Sequence, residues 1–188
     1  MAIVFPNGTQ NGAVIQTRQF VRNSPTQSSY SANTWTHVAS LNASLTPTSA
    51  SNYIRVKFIL PIAAGTSANS CLRIARRIGS SGSFGETDAT NQSTYSGVTR
   101  PRGHHMSMFL AGSNWSNNWN IAIDFIDDPN TTSIVNYRPE MISDGSGSLY
   151  WGANSLGSNG NAYATAPCIC ILEEIDTDLL GTYDGQSS

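Results

Sequence analysis

The sequence predicts an all-β protein, an antiparallel β-sandwich of jelly-roll type. Three observations carry that prediction. Short apolar–polar alternations recur at fairly regular spacing, clusters of Gly, Pro, Asn and Ser separate them, and no stretch has the 3.6-residue period of an amphipathic helix. At 188 residues the chain is long enough for one domain with a real core and too short for two generous ones. The expected organisation is a docking arm at 1–12, a β-sandwich at 13–175 and an acidic tail at 176–188.

In the arm, Pro6-Asn7-Gly8 and Asn11-Gly12 are turn signals too close together for a long element, and the arm is expected to dock on its own oligomer or a neighbour. Ala13 to Arg22 reads as a strand, broken by Asn23-Ser24-Pro25. Strand chemistry resumes over Thr34-Trp35-Thr36-His37-Val38-Ala39, and Leu41 to Leu45 alternates cleanly. After the polar turn Thr46 to Asn52 comes the clearest strand, Tyr53 to Leu60. It sets Ile54, Val56, Phe58 and Leu60 against Tyr53, Arg55, Lys57 and Ile59. Cys71 to Ile78 turns Leu72, Ile74 and Ala75 inward and leaves Arg73, Arg76 and Arg77 to solvent or an interface. Gly79 to Gly103 is a long Gly/Ser/Thr-rich insertion anchored by Phe84, Tyr95 and Val98, and long loops in compact domains tend to be functional or assembly-making. Met106 to Ala111 is a further strand, and Gly112 to Asn118 a turn rich in Asn and Trp.

The stretch Asp124 to Arg138 reads as a strand, a turn and a second strand. Ile121, Ile123 and Phe125 alternate with Ala122 and Asp124, Asp128-Pro129-Asn130 turns the chain, and Thr132, Ile134 and Asn136 alternate with Ser133, Val135 and Tyr137. The expected unit is a hairpin central to the sheet, with Asp127 and Asp128 as turn formers. Asp144 to Gly147 is a turn, Leu149 to Trp151 a short strand, Gly152 to Ala162 a loop, and Cys168 to Ile175 the last strand.

A net charge of -2 with 12% charged residues lacks the basic face that releases counterions from a nucleic acid, so no nucleic-acid partner is expected. No apolar run approaches a membrane span, and the first residues lack the basic and apolar regions of a secretory signal. Cys71, Cys168 and Cys170 are odd in number and without CxxC spacing, which predicts buried free thiols in a chain made in a reducing cytoplasm. No GxSxG, HExxH, P-loop or paired-carboxylate pattern appears, so no catalytic residue and no cofactor is assigned.

Four segments resemble successive landmarks of a β-sandwich module of tailed-phage virion proteins, common in cyanophages and other aquatic phages. They are Leu45-Thr46-Pro47-Thr48-Ser49-Ala50-Ser51-Asn52-Tyr53-Ile54-Arg55-Val56, Arg73-Ile74-Ala75-Arg76, Phe125 to Thr132 with Tyr137 after it, and Ile171-Leu172-Glu173-Glu174-Ile175. Ile3 to Gln10 is similar to the lead-in of such modules in fibre proteins. The resemblance spans roughly residues 40–175 and implies a homotrimeric, non-enzymatic protein on the virion surface. A chain without shaft, coiled coil or repeat points to a capsid decoration (cement) protein bound to the major capsid protein. The alternative is a tail or head fibre tip that binds a host surface glycan, and a virion hydrolase is the remote third.

On that expectation, Ile3, Val4, Phe5, Arg73, Arg76 and Arg77 are the candidate capsid or trimer contacts, since arginine forks suit partner carboxylates. A solvated strand face explains the arginines about as well. Trp115, Trp119, Tyr150 and Trp151 are the candidate glycan platform, although packing is the commoner fate of tryptophan. His104 and His105 would form a metal site only at a three-fold axis, and a polar strand edge is the simpler reading. Asp127, Asp128 and Asn130 offer too few spaced oxygens for Ca²⁺.

Overall fold

The computed structural model describes residues 14–64, 69–87, 93–95, 98–100, 105–109, 118–152 and 166–176. All of its regular structure is strand. The chain enters through β1 (Val14–Arg22), β2 (Thr26–Tyr30), β3 (Thr36–His37) and β4 (Ala43–Leu45). The long β5 (Tyr53–Ala64) and β6 (Asn69–Ile78) follow, then β7 (Ser93–Tyr95), β8 (Val98–Arg100) and β9 (His105–Phe109). It closes with β10 (Asn118–Asp127), β11 (Val135–Ser143), β12 (Gly147–Trp151) and β13 (Cys168–Ile175).

Pairing sorts these strands into two facing antiparallel sheets and a small β7–β8 ribbon. In the first, β10 runs along one edge of β5 from Ile54 to Ala63, so β13 (against Tyr53 to Ile59) and β12 (against Ile62 to Ala64) share the other edge. β1 then pairs β13, and β2 pairs β12. The second sheet runs β3 and β4, then β11, β6 and β9. Four strands of each sheet, β1-β13-β5-β10 and β4-β11-β6-β9, carry the winding. Each connection between consecutive members of that set crosses between the sheets, except β6 to β9. This is the jelly-roll form of the sandwich.

Alternation builds the core between the sheets. Ile54, Val56, Phe58, Leu60 and Ile62 of β5 face Leu72 and Ile74 of β6 and Val135, Tyr137 and Met141 of β11, all buried. Cys168, Cys170 and Leu172 complete the layer, so both thiols lie on one buried face as their spacing predicts. Each such side chain contributes roughly 1.5–3 kcal/mol by leaving water. Pro139 interrupts nothing, although it lies inside the doubly paired β11. Its carbonyl accepts from Val38 N (3.0 Å), and a strand residue aims N and O to the same side. The missing N–H therefore falls in the gap between β3 and β4.

The structure corrects several expectations. β10 and β11 do not form a hairpin: β10 pairs β5 in one sheet and β11 pairs β6 in the other, so residues 128–134 arch between layers. Alternation is the same in a hairpin and an arch, which is why the sequence pattern misleads. Thr132, Ser133 and Ile134 are exposed and precede the strand they were expected to begin. The strand expected over 34–39 shrinks to Thr36–His37, because Ala39 and Ser40 take left-handed backbone (φ 63° and 46°) and turn the chain away. β2, and the β7–β8 ribbon inside the 79–103 insertion, carry no alternation strong enough to read. The arm at 1–12 lies outside the described residues, as does all of the 176–188 tail beyond Asp176.

Candidate functional site

Polar side chains of this sandwich concentrate in three clusters. The first surrounds Glu174, which is fully buried on β13. One carboxylate oxygen accepts from Thr48 N (2.6 Å), Thr48 Oγ1 (2.7 Å) and Asn52 Nδ2 (2.7 Å), and the other accepts from Gln16 Nε2 (2.6 Å). Burial works upward on this carboxyl, but the hydrogen bonds from Asn52, Gln16 and Thr48 outweigh it and hold the pKa below the ordinary glutamate value. The carboxylate thereby pins the 46–52 loop and β1 to β13.

The second cluster closes the arch. Asp127, with no solvent exposure, accepts from Arg76 Nη1 at 2.9 Å on each oxygen and from Tyr137 Oη at 2.7 Å. Arg76 Nη1 also reaches the Asp128 carbonyl (3.1 Å). Because Asp127 belongs to one sheet and Arg76 and Tyr137 to the other, this is a bond between layers. Asp127 is therefore a buried counter-ion and not a turn former. Asp128 keeps the turn role, accepting from Asn130 N (3.2 Å), and Asn130 is left-handed (φ 46°).

The third cluster lies on the outer face of the second sheet. Register places Arg73 opposite Glu140 and Arg138 opposite Ala75, so the two arginines flank one carboxylate. Arg73 Nε and Nη2 donate to Glu140 Oε2 (3.0 and 2.8 Å), and Arg138 Nε and Nη2 donate to Oε1 (2.9 and 2.6 Å). Glu86 stands 3.6 Å from Arg73 Nη1. The Arg73 guanidinium lies 4.0 Å over Trp35, while Arg138 and Arg77 lie 3.8 and 4.6 Å over Phe84.

These contacts divide the expected arginine surface. Arg73 is buried and Arg76 is committed to Asp127, so neither is open to a partner. Of the three expected arginines, only Arg77 keeps a guanidinium with no carboxylate partner among the described residues. Two of the four residues expected in the glycan platform are withdrawn from solvent. Trp151 is fully buried and Tyr150 nearly so, on β12 where it lies between β5 and β2. Trp119 is placed only as the β10 register partner of Ile62. Ile3, Val4, Phe5, His104 and Trp115 lie outside the described residues, and His105 opens β9. Glu140, Gln16 and Trp35 were not anticipated, Phe84 was expected only as an anchor of the insertion, and Glu174 only as part of a landmark. Strand register brings Glu140 to Arg73, and loops bring Trp35 and Phe84 over their arginines, neither of which sequence fixes.

The outer face of the first sheet is different. Register aligns Val21, Ile169, Ile59 and Ala122 in one apolar row across β1, β13, β5 and β10. Val21 is 47% exposed, Ala122 is exposed, and the two isoleucines are partly so. Beside the row, Arg55 grips Asp124 in a two-pronged pair (2.9 and 2.8 Å) and lies 3.5 Å from Glu173. Among the described residues no group of three or more His, Cys, Asp or Glu is arranged to hold a metal ion. Nor is any helix there long and apolar enough to cross a membrane.

The class these observations define is a jelly-roll β-sandwich. No protein-family model matches the chain, and no curated protein matches it. Among solved structures, a chain in a structure of the infectious bursal disease virus Gt strain is similar at 12% identity and TM-score 0.39, over 96% of this chain and 48% of that one. A crystal structure of the infectious bursal disease virus VP2 subviral particle gives 9% identity and TM-score 0.40, over 93% and 43%. The Gx strain gives 10% and 0.39, over 100% and 52%. The chain spans about half the length of these structures' chains.

Proposed function

We propose that the chain is a non-enzymatic structural protein of a phage virion, a homotrimeric decoration protein that covers the capsid surface and stabilises it. The observation that carries this reading is the apolar row Val21–Ile169–Ile59–Ala122, turned to solvent where an antiparallel sheet ordinarily presents polar residues. Covering that row, with the nine-residue edge strand β1 beside it, adds a favourable contact at every copy. The polar clusters support the reading from the other side, since Glu174, Asp127 and Glu140 are each consumed in holding the fold. Ile3, Val4 and Phe5 remain proposed contacts to the capsid or to a second copy.

Electron microscopy of intact particles carrying the protein tests this. Hundreds of copies on the head support decoration. A few copies at the tail would overturn it in favour of the fibre tip, whose glycan contacts would then be sought at Trp115 and Trp119. Deleting residues 1–12 is expected to abolish attachment, and undiminished attachment would refute the role of the arm.

A further inference from the structure

Outside the locks that hold the sandwich together, the second sheet keeps one guanidinium without a carboxylate among the described residues. The outer face of the second sheet gathers three guanidinium groups, Arg73, Arg77 and Arg138, around two carboxylates, Glu86 and Glu140. Glu140 is used on both oxygens, by Arg73 and Arg138, and Glu86 faces Arg73. Arg77 receives nothing but the face of Phe84. Its Nε is buried without an acceptor, whereas its two Nη groups are not among the buried orphans and so face outward. Phe84 is itself fixed, because Arg76 and Gly85 exchange backbone hydrogen bonds (3.0 and 2.8 Å) and Arg138 covers the same ring.

We propose that Arg77, held on Phe84 beside Arg138, is a docking point for a carboxylate side chain of an acidic protein segment. A guanidinium whose plane is fixed by an aromatic ring presents two parallel Nη donors, which match the two oxygens of a carboxylate end-on. Stacking has already removed most of the side-chain freedom that binding would otherwise have to remove. The three guanidinium groups and two carboxylates leave one surplus positive charge, which suits one carboxylate. The inference rests on the assembly reading only for the identity of the protein that brings the carboxylate.

The test uses the full chain and three soluble probes at low salt: a tetraglutamate peptide, a tetraglutamine peptide and an oligothymidylate. Binding is read from the NMR signals of the Arg77 side chain and the Phe84 ring. Tetraglutamate is expected to shift both and tetraglutamine neither. Arg77→Gln should weaken tetraglutamate binding by about tenfold or more, and Arg77→Lys should recover only part of the loss, because it restores the charge without the fork. The proposal is overturned if tetraglutamate does not bind, if Arg77→Gln binds it as well as the parent, or if oligothymidylate binds more tightly. Should Arg77→Gln not fold, equal binding by Arg77→Lys and the parent overturns it instead. Failure with the peptide removes this site and leaves the virion reading to the particle count.

Discussion

Replacing Asp127 by Ala tests whether the 128–134 segment is an arch locked between sheets or a surface turn. Asp127 has no solvent exposure and takes Arg76 Nη1 at 2.9 Å and Tyr137 Oη at 2.7 Å. Its removal leaves a guanidinium whose side chain is only 17% exposed, and a fully buried tyrosine, without their shared acceptor. Breaking a buried pair from one side costs about 3–5 kcal/mol. Because Arg76 retains the Asp128 carbonyl at 3.1 Å, the lower part of that range, about 3 kcal/mol, is the expected loss. Asp128→Ala, at an exposed residue with one 3.2 Å bond, should cost only about 0.5 kcal/mol. Urea unfolding of both variants and of Arg76→Met/Asp127→Ala measures the difference. The double variant should lose less than the sum of its singles, since no charge is then stranded. Equal, small losses for Asp127→Ala and Asp128→Ala would refute the arch and restore the surface turn.

Acid should loosen the 46–52 loop. The Glu174 pKa is depressed in the folded state, so its contribution is full above the ordinary glutamate range and is lost as pH falls through the folded value. Glu174→Gln should flatten the acid limb of stability measured by thermal unfolding across pH, and an unchanged limb would count against the lock. Gly152 has φ +72°, and a Cβ there would stand 2.9 Å from the Ala166 carbonyl oxygen, so Gly152→Ala should lower stability by at least about 1 kcal/mol in urea unfolding. Burial pushes the Cys71 and Cys168 thiols up to about 11 and raises Cys170 as well. Alkylation of the native protein at pH 8 should therefore be slow at all three and become fast only in denaturant.

The strands with clean alternation were legible from the residues alone. Tyr53 to Leu60 buries the four side chains its pattern assigns inward, and Cys168 to Ile175 keeps both its bounds and its thiol face. Pairing was not legible. A period of two states which residues share a face and nothing about which strand lies alongside, so β10 and β11, neighbours in sequence, were joined in one sheet when they belong to two. The same limit governed the arginines. A strand pattern puts Arg73 and Arg77 on one face and Arg76 on the other but names no partner for any of them. Register gives Arg73 to Glu140, the arch gives Arg76 to Asp127, and Arg77 is left with Phe84.

The four segments that carry the resemblance meet in pairs. Thr48 and Asn52 of the first bind Glu174 of the last, and Arg76 of the second binds Asp127 of the third, with Tyr137 completing the contact. Both pairs lie at one end of the sandwich, where β4, β6, β10 and β13 finish and the 46–52 loop and the arch turn the chain back. A buried carboxylate with all its donors in place is costly to disturb one residue at a time, because each deletion strands the others. Such a group specifies which loops close over which strand ends, and so fixes one winding of the sheets against its alternatives. The residues of these four segments are therefore the ones that close the fold. The locks leave other surfaces free, and the proposed partner contacts fall on those, the row from Val21 to Ala122 and the Arg77–Phe84 stack.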